Sequence, residues 1–286
     1  MRRRVQVAVI LLLGLLVWGV VIVAINRVRH SANRMVCVHH LKQMGGALHN
    51  YASTYDDAFP SGTVSNADLP PDKRLSWLTE IYPAYMVSGP FTRFDRAKAW
   101  DSAENCPVYG RIHHDPPEED ELVVLSGKDI FLNCPINFAR STHPLPSLTH
   151  YIGVAGVGDD AATLPLSHHR AGFFGYDRKI TARNIIDGLS TTMAVAEVLE
   201  GGPWTAGGKA TVRGLEANDV PYFGEGGQFA SHHRTGHNLA LSWPITTNVL
   251  FADGSVRWVT SSISPRVFEA MATIAGGEEV EMLDDR

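Results

Sequence analysis

Between Arg4 and Arg27 the chain reads VQVAVILLLGLLVWGVVIVAIN, apolar on every side and without a charge. The 21 residues from Val5 to Ile25 predict a helix of about 31 Å, the thickness of one bilayer core. A secretory signal would have a shorter apolar run, about 7–15 residues, ending in small residues before the cut. This run ends Val-Ile-Val-Ala-Ile-Asn, so the pattern predicts a retained anchor: residues 5–25 in membrane lipid and a first domain over residues 1–30. Beyond it, Val36, Leu41, Met44, Leu48, Tyr51 and Tyr55 follow at mostly three- and four-residue spacing, one apolar face of an α-helix. No proline occurs before Pro60, so a helix of roughly fifty residues is expected. Gly45-Gly46 interrupts it at about 1 kcal/mol per glycine, so the pattern allows one helix, or two nearly collinear ones that bend there.

The remainder, residues 31–286, reads as one body with no internal repeat. From Pro60 to Pro146 it is loop-rich. Leu75–Tyr85 predicts a helix broken near Pro83, and Asp115–Glu121 a solvated acidic loop. From Thr149 the texture changes to short β-like runs punctuated by glycine. Tyr151–Val157 and Thr191–Leu199 predict strands, and Gly201–Gly227 a long glycine-rich loop. In Asn248–Val259, apolar runs flank Asp253-Gly254, the signature of a hairpin with a type I′ turn. Ser264-Pro265 predicts the N-cap and first residue of a helix running to about Ala275, stopped by Gly276-Gly277. The fold class is therefore α+β: a long N-terminal helix, its inner half transmembrane, packed on an antiparallel sheet with long loop insertions.

Composition sharpens the picture. At 44% hydrophobic and 19% charged residues the chain is ordinarily globular. The net charge of −5 hides an asymmetry, because residues 1–55 carry seven Lys or Arg and no acid. That leaves 18 of the 25 basic residues against all 30 acids, a balance of −12 for the rest. No basic face remains to neutralise phosphates, so nucleic acid is excluded as a partner. Arginines flank the apolar run almost evenly, which leaves its orientation a near-tie under the positive-inside rule.

Histidine carries the most suggestive chemistry. Eight of the 13 fall in four adjacent pairs, the last being His232-His233, followed by His237. On a helix, His233 and His237 would share a side and face one metal, but the segment reads as a loop and no HExxH accompanies it. No metal site and no cofactor are therefore predicted. No G-x-S-x-G, P-loop or dinucleotide fingerprint is present, so the chain is read as no enzyme, a hydrolase being the least favoured class. A binding site for polysaccharide or a divalent metal is the alternative, with Trp204, His233, His237 and Trp243 as its residues. Both tryptophans lie on loops, where they could stack on sugar faces or plug the sheet. Three cysteines allow three single pairings and leave one over.

Several segments together resemble a known family. Cys37–Tyr51 (CVHHLKQMGGALHNY) with Thr54–Pro60 (TYDDAFP) is similar to the opening of a large pilin-like family of unknown function, numerous in planctomycete-type bacteria. The matches continue through RLSWL at 74–78, WDSAEN at 100–105, Cys134-Pro135, FGYDR at 174–178, IDGLSTT at 186–192, Ala196-Glu197, GPWTAGG at 202–208 and NVLFADGSVR at 248–257. The last belongs to the family's C-terminal His-to-Asp-Gly element. The chain departs from the family in lacking its prepilin signal, since Arg4 leads straight into Val5-Gln6-Val7, and in carrying His39-His40 for an asparagine pair.

The resemblance implies a pilin- or pseudopilin-like protein held in the inner (cytoplasmic) membrane by a single pass. Its N-terminus would be cytoplasmic and its body periplasmic or extracellular. The implied role is structural or interactive, in a type II secretion-like or surface-filament system, with self-association or pilin-like partners. A disulfide between Cys37 and Cys134 is expected in that compartment. Cys37 lies about one turn before Leu41, and Cys134 begins the segment that leads into the β-rich half. The bond would be worth roughly 4–5 kcal/mol by loop closure. Cys106 stands where the family has no cysteine and would be the thiol left over.

Overall fold

The computed structural model describes residues 2–85, 94–102, 104–105, 132–135, 148–216, 221–222, 226–231, 233–234 and 245–277. Its first element is one continuous helix, α1 (Arg2–Thr54). From Ile10 to Ile25 its large apolar side chains are exposed, Leu15 at 72% and Trp18 at 66%. It is long and apolar enough to cross a membrane. The outer half is different. Cys37, Leu41, Met44, Leu48 and Ala52 are buried in a single stripe, while Val36 and Tyr55 are exposed. The buried face thus starts at Cys37, one residue after the expected Val36, because the small thiol packs as a hydrophobe.

The second helix, α2 (Trp77–Tyr85), lies against α1 and runs two residues past Pro83. Six strands form one sheet: β1 (Tyr151–Val157), β2 (Met193–Glu197), β3 (Val212–Leu215), β4 (His233–Arg234), β5 (Ile245–Phe251) and β6 (Val256–Thr260). β1 pairs antiparallel with β2, β2 with β5, and β5 with both β4 and β6. β3, however, pairs parallel with β1, so the sheet is mixed and not purely antiparallel as expected. The parallel strand arises inside the glycine-rich loop, where the chain returns alongside β1 after a crossover. β2 pairs β5 at 249–251 and β4 pairs it at 245–246, and both stretches overlap those held by β6. β2 and β4 therefore lie end to end along one edge of β5.

Side-chain alternation divides the core into two layers. Tyr151 and Ala155 of β1 face α1 and α2, while Ile152 and Val154 face the last helix, α3 (Pro265–Ala272). Leu250 joins the first layer, and Val249 and Phe251 join Phe268 and Met271 in the second. A register shift between Met193 and Val195 lets Ala194 and Val195 face the same side. Helices consequently cover both faces of the sheet.

The β5–β6 hairpin forms where expected, with a different turn. Gly254 N–H donates to Phe251 O at 2.9 Å, and Phe251 N–H donates to Ser255 O at 2.9 Å. Gly254 has φ +82°, whereas Asp253 stays at negative φ. The loop is therefore a type I turn closed by a glycine bulge, not type I′. Asp253 Oδ1 accepts the Ser255 N–H at 2.8 Å, fixing the tip.

That tip explains one of the paired glycines. A Cβ on Gly45 would lie 2.9 Å from Leu250 Cδ1 and 3.3 Å from Gly254 Cα, so the hairpin seats directly on the helix backbone. Nothing lies within 4 Å of a Cβ on Gly46. The two should respond oppositely to the same change. Gly46→Ala is expected to raise the melting temperature, by up to about 1 kcal/mol of helix propensity. Gly45→Val should lower it through overpacking of about 1–3 kcal/mol. Thermal unfolding of the detergent-solubilised chain measures both.

Candidate functional site

Four chemically distinctive side chains meet between α1 and the sheet. Glu197 ends β2, and because Ala196 faces α3 the next residue turns toward α1. It pairs across the ladder with Tyr151. His233 lies opposite Thr246, which shares the α1-facing parity of Asn248 and Leu250. Cys37 comes down from α1, and Cys134 enters from the short segment 132–135. That segment is held by the His150 N–H donating to Leu132 O at 2.9 Å and the Cys134 N–H donating to His150 Nδ1 at 3.3 Å. One ligand-type atom from each of the four residues lies within 4.8 Å of all the others. Cys37, Cys134 and Glu197 are fully buried, and His233 is 2% exposed.

His233 Nε2 lies 2.9 Å from Glu197 Oε1 and 3.4 Å from Cys134 Sγ. The other carboxylate oxygen, Oε2, accepts from Asn248 Nδ2 at 2.7 Å. Thr247 Oγ1 donates to the Glu197 carbonyl at 2.9 Å, tying the strand end to β5. Around this shell the Tyr151 hydroxyl bonds to Cys37 and lies 3.2 Å from His40 Nδ1.

The electrostatics follow from burial and pairing. Burial alone would depress the His233 pKa, but the Glu197 charge and the bonds to Cys134 and Glu197 outweigh it and raise it to about 10. Burial would likewise raise the Glu197 carboxyl, yet the His233 charge and the converging hydrogen bonds hold it low. Burial, the Cys37 bond and the Glu197 charge push the Cys134 thiol well up. For Cys37 the bond with Cys134 acts downward, and burial with the Glu197 charge overcomes it, so this thiol is raised too. Without a metal, the cluster is an ion pair beside two protonated thiols.

The arrangement is not a nucleophile relay. In such a relay one imidazole nitrogen accepts the nucleophile's proton while the other is held by the carboxylate. Here the same atom, His233 Nε2, faces both the sulfur and Glu197.

Of the residues predicted from sequence, the structure brings together Cys37, Cys134 and His233, the two cysteines as free thiols and not as the expected disulfide. Trp204 is a plug: it is 3% exposed, stacks on Tyr82 at 5.1 Å between centroids, and takes the Phe94 edge at 5.7 Å. His237, Trp243, Cys106 and the acidic loop at 115–121 lie outside the described residues. Asp253 and Gly254 form the hairpin tip, where the Ala252 carbonyl takes a hydrogen bond from His49 Nε2 at 3.0 Å. Glu197 was not among the predicted site residues. Its signal is a single carboxylate closing the apolar run MAVA, in a strand, MAVAE, whose five residues are all buried.

A family model described as a protein of unknown function, DUF1559, matches residues 26–266. The chain is a DUF1559 protein. No curated protein and no solved structure matches it. The match begins directly after the apolar run and includes all four clustered residues. Within this DUF1559 protein the segment IDGLSTT at 186–192 does structural work. Asp187 of IDGLSTT accepts the backbone N–H groups of Gly276 at 2.8 Å and Gly277 at 3.2 Å, fastening the chain after α3 to the loop before β2.

Proposed function

We propose that this DUF1559 protein is a single-pass membrane-anchored, pilin-like module whose body lies outside the cytoplasm and serves a structural or interaction role. The observation that supports the reading is the division of labour along α1. One uninterrupted helix is apolar and exposed over residues 10–25 and buried on one face from Cys37 to Ala52. Ile25 and Cys37 are separated by about 18 Å along the helix axis, a stalk that lifts the body clear of the headgroups. Arg2, Arg3 and Arg4 would remain cytoplasmic, beside the uncut N-terminus. The chain is read as a retained anchor, with pilin-like partners or copies of itself as the groups it meets.

Membrane fractionation with N-terminal mass spectrometry tests this. The chain is expected to resist alkaline and high-salt washes, to be released by detergent, and to carry an intact N-terminus. Protease added to spheroplasts should remove the body. Release by salt alone would refute the anchor, and a protected body would refute the orientation. A cleaved, methylated N-terminus would replace the retained anchor by a processed filament subunit.

A further inference from the structure

We propose that Cys37, Cys134, Glu197 and His233 are the four ligands of a closed, structural divalent-metal site of the zinc class. The proposal concerns the body alone and does not depend on how α1 meets the membrane. Ordinary zinc bond lengths, about 2.3 Å to sulfur and 2.0–2.2 Å to nitrogen or oxygen, give a tetrahedron with edges of about 3.3–3.8 Å. The Cys134 Sγ to His233 Nε2 separation is 3.4 Å, and His233 Nε2 to Glu197 Oε1 is 2.9 Å. The second edge lengthens by about half an ångström when an ion replaces the hydrogen bond. All six edges are already within 4.8 Å.

Three further features agree with a metal. His233 Nε2 is aimed at two partners at once, while a single N–H serves one of them well; an ion at the common centre satisfies the nitrogen, the sulfur and the oxygen together. Asn248 holds Glu197 Oε2 from behind, leaving Oε1 for the centre, which is how outer-shell groups orient a ligating carboxylate. Two thiolates and an imidazole are a borderline-soft set, which suits zinc and not magnesium or calcium. The ligands come from α1, the 132–135 segment, β2 and β4, so the ion would clamp the stalk helix to the sheet. With four protein ligands buried, no coordination position is left for substrate, which makes the role structural. Binding takes up one metal ion and releases the two thiol protons and the imidazolium proton.

The test uses the full chain in detergent micelles. Elemental analysis is expected to give about one zinc per chain, with Cys37 and Cys134 resisting alkylation until a chelator is added. Peptide mapping separates them from Cys106. Cobalt exchange should produce tetrahedral d–d bands and thiolate-to-cobalt charge transfer, and the charge transfer should weaken in Cys134→Ser. Asn248→Ala keeps all four ligands and should reduce metal affinity by about 10–100-fold, a readout that survives if the cysteine variant does not fold. A chain two hydrogens lighter with Cys37 linked to Cys134 would overturn the proposal in favour of a disulfide. Metal-free protein with both thiols open to alkylation, and no cobalt spectrum on titration, would overturn it in favour of an ion pair alone.

Discussion

Replacing Arg178 by methionine is expected to prevent the body from folding. The guanidinium is buried, 8% exposed, and bridges segments distant from each other in the chain. Its Nη1 donates to the carbonyls of Ala161 at 3.3 Å and Leu164 at 2.5 Å. Its Nη2 donates to those of Ala155 at 3.1 Å, Gly172 at 3.0 Å and Phe174 at 2.7 Å. One side chain thereby ties β1, the turn after it and the strap at 172–174 together. Burial lowers its pKa to about 10, so it remains charged at neutral pH. Gly175 makes room for it, since a Cβ there would meet Arg178 Cζ at 2.7 Å. Methionine fills much of the volume; the Ala155 and Ala161 carbonyls keep the N–H groups of Gly172 at 2.7 Å and Leu164 at 3.3 Å, but those of Leu164, Gly172 and Phe174 lose the guanidinium, each costing about 1–3 kcal/mol. The sum, about 3–9 kcal/mol, is comparable with the whole stability of an ordinary domain, about 5–15 kcal/mol. Lysine supplies three donors from a single nitrogen, without the planar fork, so Arg178→Lys should recover only part of the loss. Expression and thermal unfolding decide this; an Arg178→Met chain melting within a few degrees of wild type would show that the carbonyls find other donors.

The parts of this fold that could be read from sequence are those with local causes. Val5–Ile25 is legible because lipid demands an unbroken apolar run, and β1, β2 and α3 because alternation or a Ser-Pro start marks them. The hairpin is legible for the same reason, although its turn type is not. Asp-Gly permits positive φ at both positions, and the seating of the tip on Gly45 and His49 accompanies the bulged form. β3 was hidden because VRGL is four residues long inside glycine-rich chain, and its pairing with β1 is a long-range parallel contact. The cluster was only partly legible. Its residues stand at 37, 134, 197 and 233, each on a different segment, so no ligand spacing can appear in the sequence. His233 stood out by residue type, and Cys37 and Cys134 by the family resemblance and their places in the chain. Glu197 could have been found by asking what neutralises a carboxylate at the end of a buried strand.

Stability is expected to fall steeply as the pH is lowered from about 6.5 toward 4. Burial lowers the His150 pKa to about 4, against which the Glu197 charge acts weakly. For His40, burial and the neighbouring His39 lower it to about 4, with Glu197 again opposing. In the unfolded chain both would titrate near 6.5. Between those values the unfolded state binds more protons than the folded one, so stability rises with pH across the window and is lost on acidification. At 1.36 kcal/mol per unit, His150 contributes up to about 3 kcal/mol, and the less buried His40 contributes less. His233 does not offset this. Its pKa is raised to about 10, so its contribution is fully present below 6.5 and declines only as the pH climbs toward 10. Glu197, held low, adds its own loss at the acid end, below the ordinary carboxylate range. Acid release of a bound metal would steepen the curve as well, so the decisive quantity is a difference. His150→Gln keeps an acceptor for the Cys134 N–H and removes the titrating ring. Melting temperatures of wild type and His150→Gln, taken at intervals from pH 7.5 to 4, should lie nearest at neutral pH and separate in acid, the wild-type curve falling more steeply below about 6.5. Parallel curves would show that the buried imidazole contributes nothing to the acid lability.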